Sequence, residues 1–409
     1  NTSAPLPTIG LIFINSGTMN PLRITNYTAT TALGRGCAAQ FDALRTGRTG
    51  LSEAAFQNCA LKTWTGVVPG LDQPVNPALT RWDCRNNRLA ERALHQDDFF
   101  AAALRVRETY GAARVGVFIG TSTSGIHQTE WAYRTRDRSS PSLPDWFHFV
   151  ETQNTFSCAD FVRLSLGLEG LALAVSTACS SSAKVFASAA RAMASGQCDA
   201  AIVGGVDSLC LTTLYCFNSL QLLSAEICRP ADEKRRGISI GEAAGYAILE
   251  AQGEGPLLLG YGESSDAYHM SSPEPEGRGA LASMQAALQR AGLAPAQIDY
   301  INLHGTGTPA NDAAEDKAVC TLFGTQTPCS STKGWTGHTL GAAGIVEAVI
   351  ALQCIEQGFM PASLNTQTPD PALHGNILRD NRQQSVARVL SNSFGFGGSN
   401  ASLIFGSAP

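Results

Sequence analysis

The sequence lacks several features that would each announce a class of function. It has no dense run of Lys or Arg, and a net charge of −5 over 409 residues is modest, which argues against a nucleic-acid footprint or a polybasic membrane patch. The longest early apolar stretch, Ile9 to Ile14, is too short to span a membrane and has no basic flank of the signal-peptide kind, so a soluble protein is expected. The 12 cysteines include no C-x-x-C pair, and no Cys/His cluster has zinc-like spacing. Scattered thiols of this kind fit a reducing cytoplasm and a core that needs neither disulfides nor a metal. There is no low-complexity linker and no short tandem repeat. Regular patterning is also missing before Leu22, so residues 1–21 read as an N-terminal extension or added residues, with Met19 a candidate natural start.

What is present is a large core: 44% of residues are hydrophobic, and the length fits two fused domains or one duplicated unit. Apolar runs rich in β-branched residues alternate with alanine-rich segments of helical period, which predicts α/β layers with covered, mostly parallel strands. Leu171 to Val175 reads as a buried strand, Ser180 to Ser195 as a helix with Phe186, Ala189, Ala190 and Met193 on one face, and Ala200 to Val203 as the next strand. Tyr300 to Leu303 reads as a strand before the turn His304 to Ala310 and a helix from about Asp312 to Phe323. Lys333 to His338 precedes a helix from about Gly341 to Gln357, with Ile345, Val346, Val349 and Leu352 as its apolar stripe. Ala387 to Leu390 and Ala401 to Phe405 read as strands flanking the turn Gly395-Phe396-Gly397-Gly398, where backbone amides can approach a ligand. Thr121 to Asn154, with Trp131, Pro141, Pro144 and Trp146 and little period, reads as an irregular excursion or a dimer contact.

Cys179 stands where a strand meets a helix start, a position expected to lower its pKa through the helix dipole. Its neighbours Ser176, Thr177, Ala178, Ser180, Ser181 and Ser182 are small enough to admit a large substrate. Taken alone, its position does not overturn the ordinary reading of a buried thiol packed as a small hydrophobe. His304 and His338 each lie in a glycine-rich turn before a helix, so two imidazoles can converge on one site.

These stretches resemble the motifs of elongating β-ketoacyl-ACP synthases: Ser176 to Ser182, the His304 turn, Lys333 to His338, and Asn392 to Gly398, together with Arg229-Pro230, Gly241 to Gly245 and Ser265 to Met270. The resemblance runs over most of the chain from about Leu22. It implies the thiolase fold, an α/β architecture of two duplicated halves in five αβαβα layers, divided at residues 22–255 and 256–409. It further implies that Cys179 takes an acyl group from an acyl carrier protein and that a malonyl carrier thioester then loses CO₂ and attacks the acyl-cysteine. His304 and His338 would stabilise the malonyl thioester oxyanion, and the amides of Cys179 and Phe396 would form the oxyanion hole. Lys333 would tune the histidines, and Phe396, beside Phe394, would be a gate responding to acylation. Glu315 and Asp312 match acidic positions of the family. Glu315 is expected to orient the site through Lys333, but both acids also suit a helix start. No metal or organic cofactor is implied, and the partner is an acyl carrier protein, with a homodimer or a heterodimer of related chains.

Departures from the family pattern occur at Arg235 to Ile240, Ile24 to Thr28 and Thr121 to Asn154. They leave fatty-acid elongation and specialised polyketide-like or aryl polyene elongation both open. Two other readings remain: a non-decarboxylating thiolase, which usually needs a second cysteine, and a non-catalytic chain-length partner, which typically lacks the active cysteine.

Overall fold

The computed structural model describes residues 17–53 and 56–407. The Ile9 to Ile14 stretch and most of the 1–21 segment therefore lie outside the described residues, while Met19 donates its amide to Arg290 O at 2.8 Å. Ten strands carry the architecture: β1 (Leu22–Thr31), β2 (Val115–Gly120), β3 (Ala172–Val175), β4 (Ala200–Asp207), β5 (Ala243–Glu250), β6 (Leu257–Ser265), β7 (Tyr300–Asn302), β8 (Pro328–Ser330), β9 (Arg388–Gly395) and β10 (Ser399–Gly406). They lie in the order β3-β2-β4-β5-β1-β6-β10-β9-β7-β8.

That order contains a repeat. In the first five strands the chain order is third-second-fourth-fifth-first, and the second five repeat it as a mirror sequence across the β1/β6 junction. Pair orientations repeat too: the second strand runs parallel to the third and fourth, and the fifth runs antiparallel to the fourth and first in both halves. β1 and β6 join the halves through the antiparallel pairs Leu22↔Leu258 and Arg23↔Leu257.

Packing follows from strand alternation, since successive side chains point to opposite faces. In β2, Val117 and Ile119 face an outer layer with Leu89, Phe99, Phe161 and Val162, whereas Phe118 faces inward. The inward layer holds two helices, α2 (Ser181–Ala194) and α6 (Ala343–Gln357), packed between both half-sheets. α4 (Arg278–Ala291) and α5 (Pro309–Phe323) cover the outer face of the second half around Met284, Leu288, Ile301 and Val319. The result is the five-layered thiolase fold. α6 is apolar on nearly all sides because it is buried on nearly all sides. With its preceding turn, Leu340–Gln357 is long and apolar enough to cross a membrane by length and composition, yet most of it is enclosed by the protein. Each large aliphatic side chain it buries contributes about 1.5–3 kcal/mol.

Two sequence expectations fail here for physical reasons. β3 is not a buried strand: it is an edge strand at one end of the sheet, and Leu173 is 41% exposed. The stretch Thr121 to Asn154 is not wholly irregular, because α1 (Ile126–Thr135) lies within it. Ala132 is the only buried residue of α1, so no apolar stripe marks it in the sequence.

Candidate active site

Four chain segments meet at the carboxyl ends of the parallel strands. Cys179 follows β3 and precedes α2, and Ala178 before it takes a left-handed φ of 54°. The Phe396 turn packs so closely on this elbow that a Cβ at Gly395 would come within 2.5 Å of Thr177 O, which requires glycine there. His304 follows β7. His338 follows β8 and the single helical turn Lys333–Thr336, and its amide donates to Ser239 O at 2.7 Å. The departing segment Arg235 to Ile240 thus backs His338 directly.

His338 Nε2 is 3.0 Å from Cys179 Sγ, and the two imidazole centroids are 5.4 Å apart at 85°. The backbone amides of Phe396 and of Cys179 itself also face the sulfur. His338 Nδ1 accepts from the Leu340 amide at 3.1 Å, so its proton sits on Nε2, toward the thiol. His304 Nδ1 lies 3.3 Å from Lys333 Nζ, which likewise leaves the His304 proton on Nε2. Burial, reinforced by the Lys333 charge, holds both histidines well below their usual range, so both are neutral donors at neutral pH.

This assignment bears on metal binding. The three ligand-type atoms of Cys179, His304 and His338 lie within 4.8 Å of one another. Both histidines, however, turn a proton rather than a lone pair toward the shared space, which suits an oxyanion and not a cation.

The thiol corrects an expectation. Burial pushes Cys179 up to about 11, outweighing the lowering effects of Lys333 and the Phe396 amide. The helix start alone does not make a resting thiolate.

Lys333 is buried and spends all three ammonium donors: on Glu347 Oε1, on His304 O at 2.5 Å, and on His304 Nδ1. Its acidic partner is therefore Glu347, on α6, and not Glu315. Glu315 instead accepts from the amides of His304 at 2.8 Å and Gly305 at 2.7 Å and from Asn392 Nδ2, fixing the His304 turn. Burial raises Glu315 to about 7, against the lowering effect of these donors. Asp312 does not reach the chemistry. It accepts from the amides of Ala231 and Gly307 and pairs with Arg235, pinning one loop to the histidine turn.

Two cavities meet at Cys179. One, of about 100 Å³, is lined by His304, His338, Thr306, Thr308 and Phe394; the other, of about 290 Å³, by Ser122, Thr123, Ile126, Thr213 and Leu340. Cys179, Phe396 and Phe217 line both. Phe217, from α3 (Leu211–Ser219), stacks at a tilt on Phe396, with centroids 5.6 Å apart, while Phe394 sits 5.9 Å from the His304 ring.

Sequence reasoning missed Glu347 and Phe217. The signal for Glu347 was available: one carboxylate inside an apolar helix requires a buried partner. Phe217 carried none, since the sequence pattern does not reveal which face of a short helix closes a cavity.

A thiol, two imidazole N–H donors and two amides at the junction of two cavities define a site for acyl transfer through a cysteine thioester. Residues 88–254 match the description "Beta-ketoacyl synthase, N-terminal domain", and residues 257–367 match "Beta-ketoacyl synthase, C-terminal domain". The 3-oxoacyl-[acyl-carrier-protein] synthase 2 of Vibrio cholerae is 34% identical over 79% of this chain and 86% of its own. The mitochondrial 3-oxoacyl-[acyl-carrier-protein] synthase of Arabidopsis thaliana is 39% identical over 60% of this chain and 58% of its own. Among solved structures, the ketosynthase ApeO in complex with its chain length factor ApeC, from Xenorhabdus doucetiae, superposes with a TM-score of 0.87 at 37% identity, covering 95% of this chain and 98% of that one. The chain belongs to the β-ketoacyl synthase family, acyltransferases of the 3-oxoacyl-[acyl-carrier-protein] synthase type.

Proposed function

We propose that this protein condenses an acyl group carried on Cys179 with a malonyl thioester of an acyl carrier protein, releasing CO₂. The observation that carries this reading is the convergence of two neutral Nε2–H donors on a buried sulfur faced by two amides. In the first half-reaction Sγ attacks the acyl thioester carbonyl. The carbonyl oxyanion is held by the amides of Cys179 and Phe396, the carrier C–S bond breaks, and the thiol proton leaves with the carrier thiolate. In the second, the malonyl C–C bond to the carboxylate breaks. Its electron pair forms an enolate whose oxygen accepts from His304 and His338. The enolate carbon then attacks the acyl-cysteine, and Sγ departs and regains a proton.

Neutral histidines favour this sequence because they stabilise the enolate without a fixed cation at the sulfur. Lys333 supplies charge one residue further out and holds His304 in its tautomer. Phe396 and Phe217 separate the acyl cavity beside Ser122 and Ile126 from the malonyl cavity beside Thr306, so movement of Phe396 orders the two substrates. Histidines, rather than a second cysteine, as the neighbours of Sγ favour decarboxylation over thiolase chemistry, and the intact set favours a catalytic chain over a non-catalytic partner.

The working unit is a dimer in the cytoplasm. Edge strand β3, with a side open to pairing, and the exposed Trp131, Tyr133, Phe149 and Val150 support a partner chain. Fatty-acid elongation is the first reading of the pathway. A specialised elongation with a chain-length partner is the second, favoured by the likeness to ApeO. Incubation with acyl and malonyl carrier thioesters should release one CO₂ per β-ketoacyl product; product formed without CO₂, or no product, contradicts the reading.

A further inference from the structure

Asp207 ends β4 and is fully buried, yet no part of the chemistry above uses it. Its carboxylate accepts from five donors. Thr121 Oγ1, the Thr123 amide and Thr123 Oγ1 reach Oδ1 at 2.8 Å each, the Ser122 amide bridges both oxygens at 2.9 and 3.0 Å, and the Gly341 amide reaches Oδ2 at 2.5 Å. Three of these are amides that can only donate, so toward them the group is an acceptor. No ion pair to Asp207 occurs among the described residues; its partners are backbone and hydroxyl donors, and burial still holds its carboxyl above the usual range against them.

The donors come from two segments: Thr121 to Thr123, which borders the acyl cavity and touches the residue before the nucleophile, and Gly341, three residues after His338. Ser122 Oγ donates to Ala178 O at 3.2 Å, at the left-handed residue before Cys179. Gly341 follows Leu340, the other left-handed non-glycine residue at the site, with φ 55°. The Leu340 amide is the donor that fixes the His338 tautomer. Strained residues persist only where their surroundings over-determine them, and Asp207 reaches the first through Ser122 and the second through the Gly341 amide that follows it. The fit is close: a Cβ at Gly341 would lie 2.7 Å from Asp207 Oδ2 and 2.7 Å from Ser122 Oγ.

We infer that Asp207 is a positioning residue for condensation, holding the Leu340 turn that aims His338 Nε2–H at Cys179 and locking that turn to the Ser122–Thr123 wall of the acyl cavity. This rests on the condensing reading above and adds a device that aligns the nucleophile, the oxyanion donor and the chain cavity from one carboxylate.

The test is Asp207→Asn, which keeps the shape but presents one NH₂ group to a ring of donors. Condensation kcat should fall on the order of 10²-fold while KM for the malonyl carrier stays near wild type, since misplacement and not binding is lost. The pH at which iodoacetamide alkylates Cys179, read by peptide mass spectrometry, should also rise. The ionisable groups facing that sulfur are His304, His338, Lys333 and Glu347, and only the His338 donor is disturbed. A variant of lowered stability whose kcat and alkylation profile match wild type overturns the inference. If Asp207→Asn does not fold, Thr123→Val removes one donor and should lower kcat several-fold at constant KM; an unchanged kcat overturns the inference equally. Wild-type protein that releases no CO₂ would refute the condensing reading alone, because the alkylation profile needs no substrate and still decides the role of Asp207.

Discussion

The two halves of this protein share one strand order but not one chemistry. The third strand of each half leads into a buried central helix: β3 delivers Cys179 before α2, and β8 delivers Lys333 and His338 before α6. The second strand of each half leads into a loop at the same centre: β2 delivers Ser122 and Thr123, which line a cavity, and β7 delivers His304. In the proposed reaction one half thus provides the group that carries the chain, and the other provides the donors that meet the enolate. The scaffold fixes where strand ends converge, and the residues placed there divide the reaction.

The division can be broken most severely at the histidines. His304→Ala and His338→Ala should each lower CO₂ release from the malonyl carrier by about 10²–10³-fold, the usual cost of removing one oxyanion donor. His304→Ala should still become acylated at Cys179, because acyl loading uses the amides of the first half and the Phe396 turn. If His304→Ala blocked loading and decarboxylation equally, the division would be wrong.

The next largest effect concerns the buried Lys333–Glu347 pair of the second half. Glu347→Gln leaves Lys333 without its carboxylate and should destabilise the fold by about 3–5 kcal/mol, seen as a lower denaturation midpoint. A double replacement, Lys333→Met with Glu347→Leu, should recover most of that stability, as apolar pairs replace buried ion pairs at little cost, while condensation stays impaired. α2 has the apolar Val185 where α6 has Glu347 five positions into the helix, so the comparison predicts that the charge serves chemistry and not packing.

Glu315 gives a smaller, pH-dependent effect. Burial raises its folded pKa from 4.5 to about 7, so the native state binds the proton more tightly than the unfolded state does. The contribution of this group to stability is complete below about pH 4.5 and declines as pH rises through 7, by about 3 kcal/mol at most. Glu315→Gln should flatten the stability profile across that window in thermal melts at successive pH values. The mildest change is Phe396→Ala, which should alter the order of acyl loading and malonyl admission by a few-fold in pre-steady-state rates. Unchanged acylation and condensation phases would remove Phe396 as the gate.

Much of this was legible in the chain because it is written in local patterns. Strand-to-helix elbows, glycine-rich turns and the apolar stripe of α6 located Cys179, His304, His338 and Phe396 and their order. What was not legible depends on contacts distant in sequence. Glu315 and Lys333 look like partners because both stand near histidines, yet the fold brings Glu347 to the ammonium and leaves Glu315 on the His304 and Gly305 amides. The thiol of Cys179 looks activated by its helix start, yet burial raises it against the lowering effects of Lys333 and the Phe396 amide. The edge position of β3 cannot be inferred from an apolar run that resembles a buried strand.

The central claim is that Cys179 alone carries the acyl chain. Intact-protein and peptide mass spectrometry after incubation with a panel of acyl carrier thioesters should show one acyl adduct per chain, on Cys179, and none on Cys179→Ala. Acylation that persists in Cys179→Ala would contradict the account.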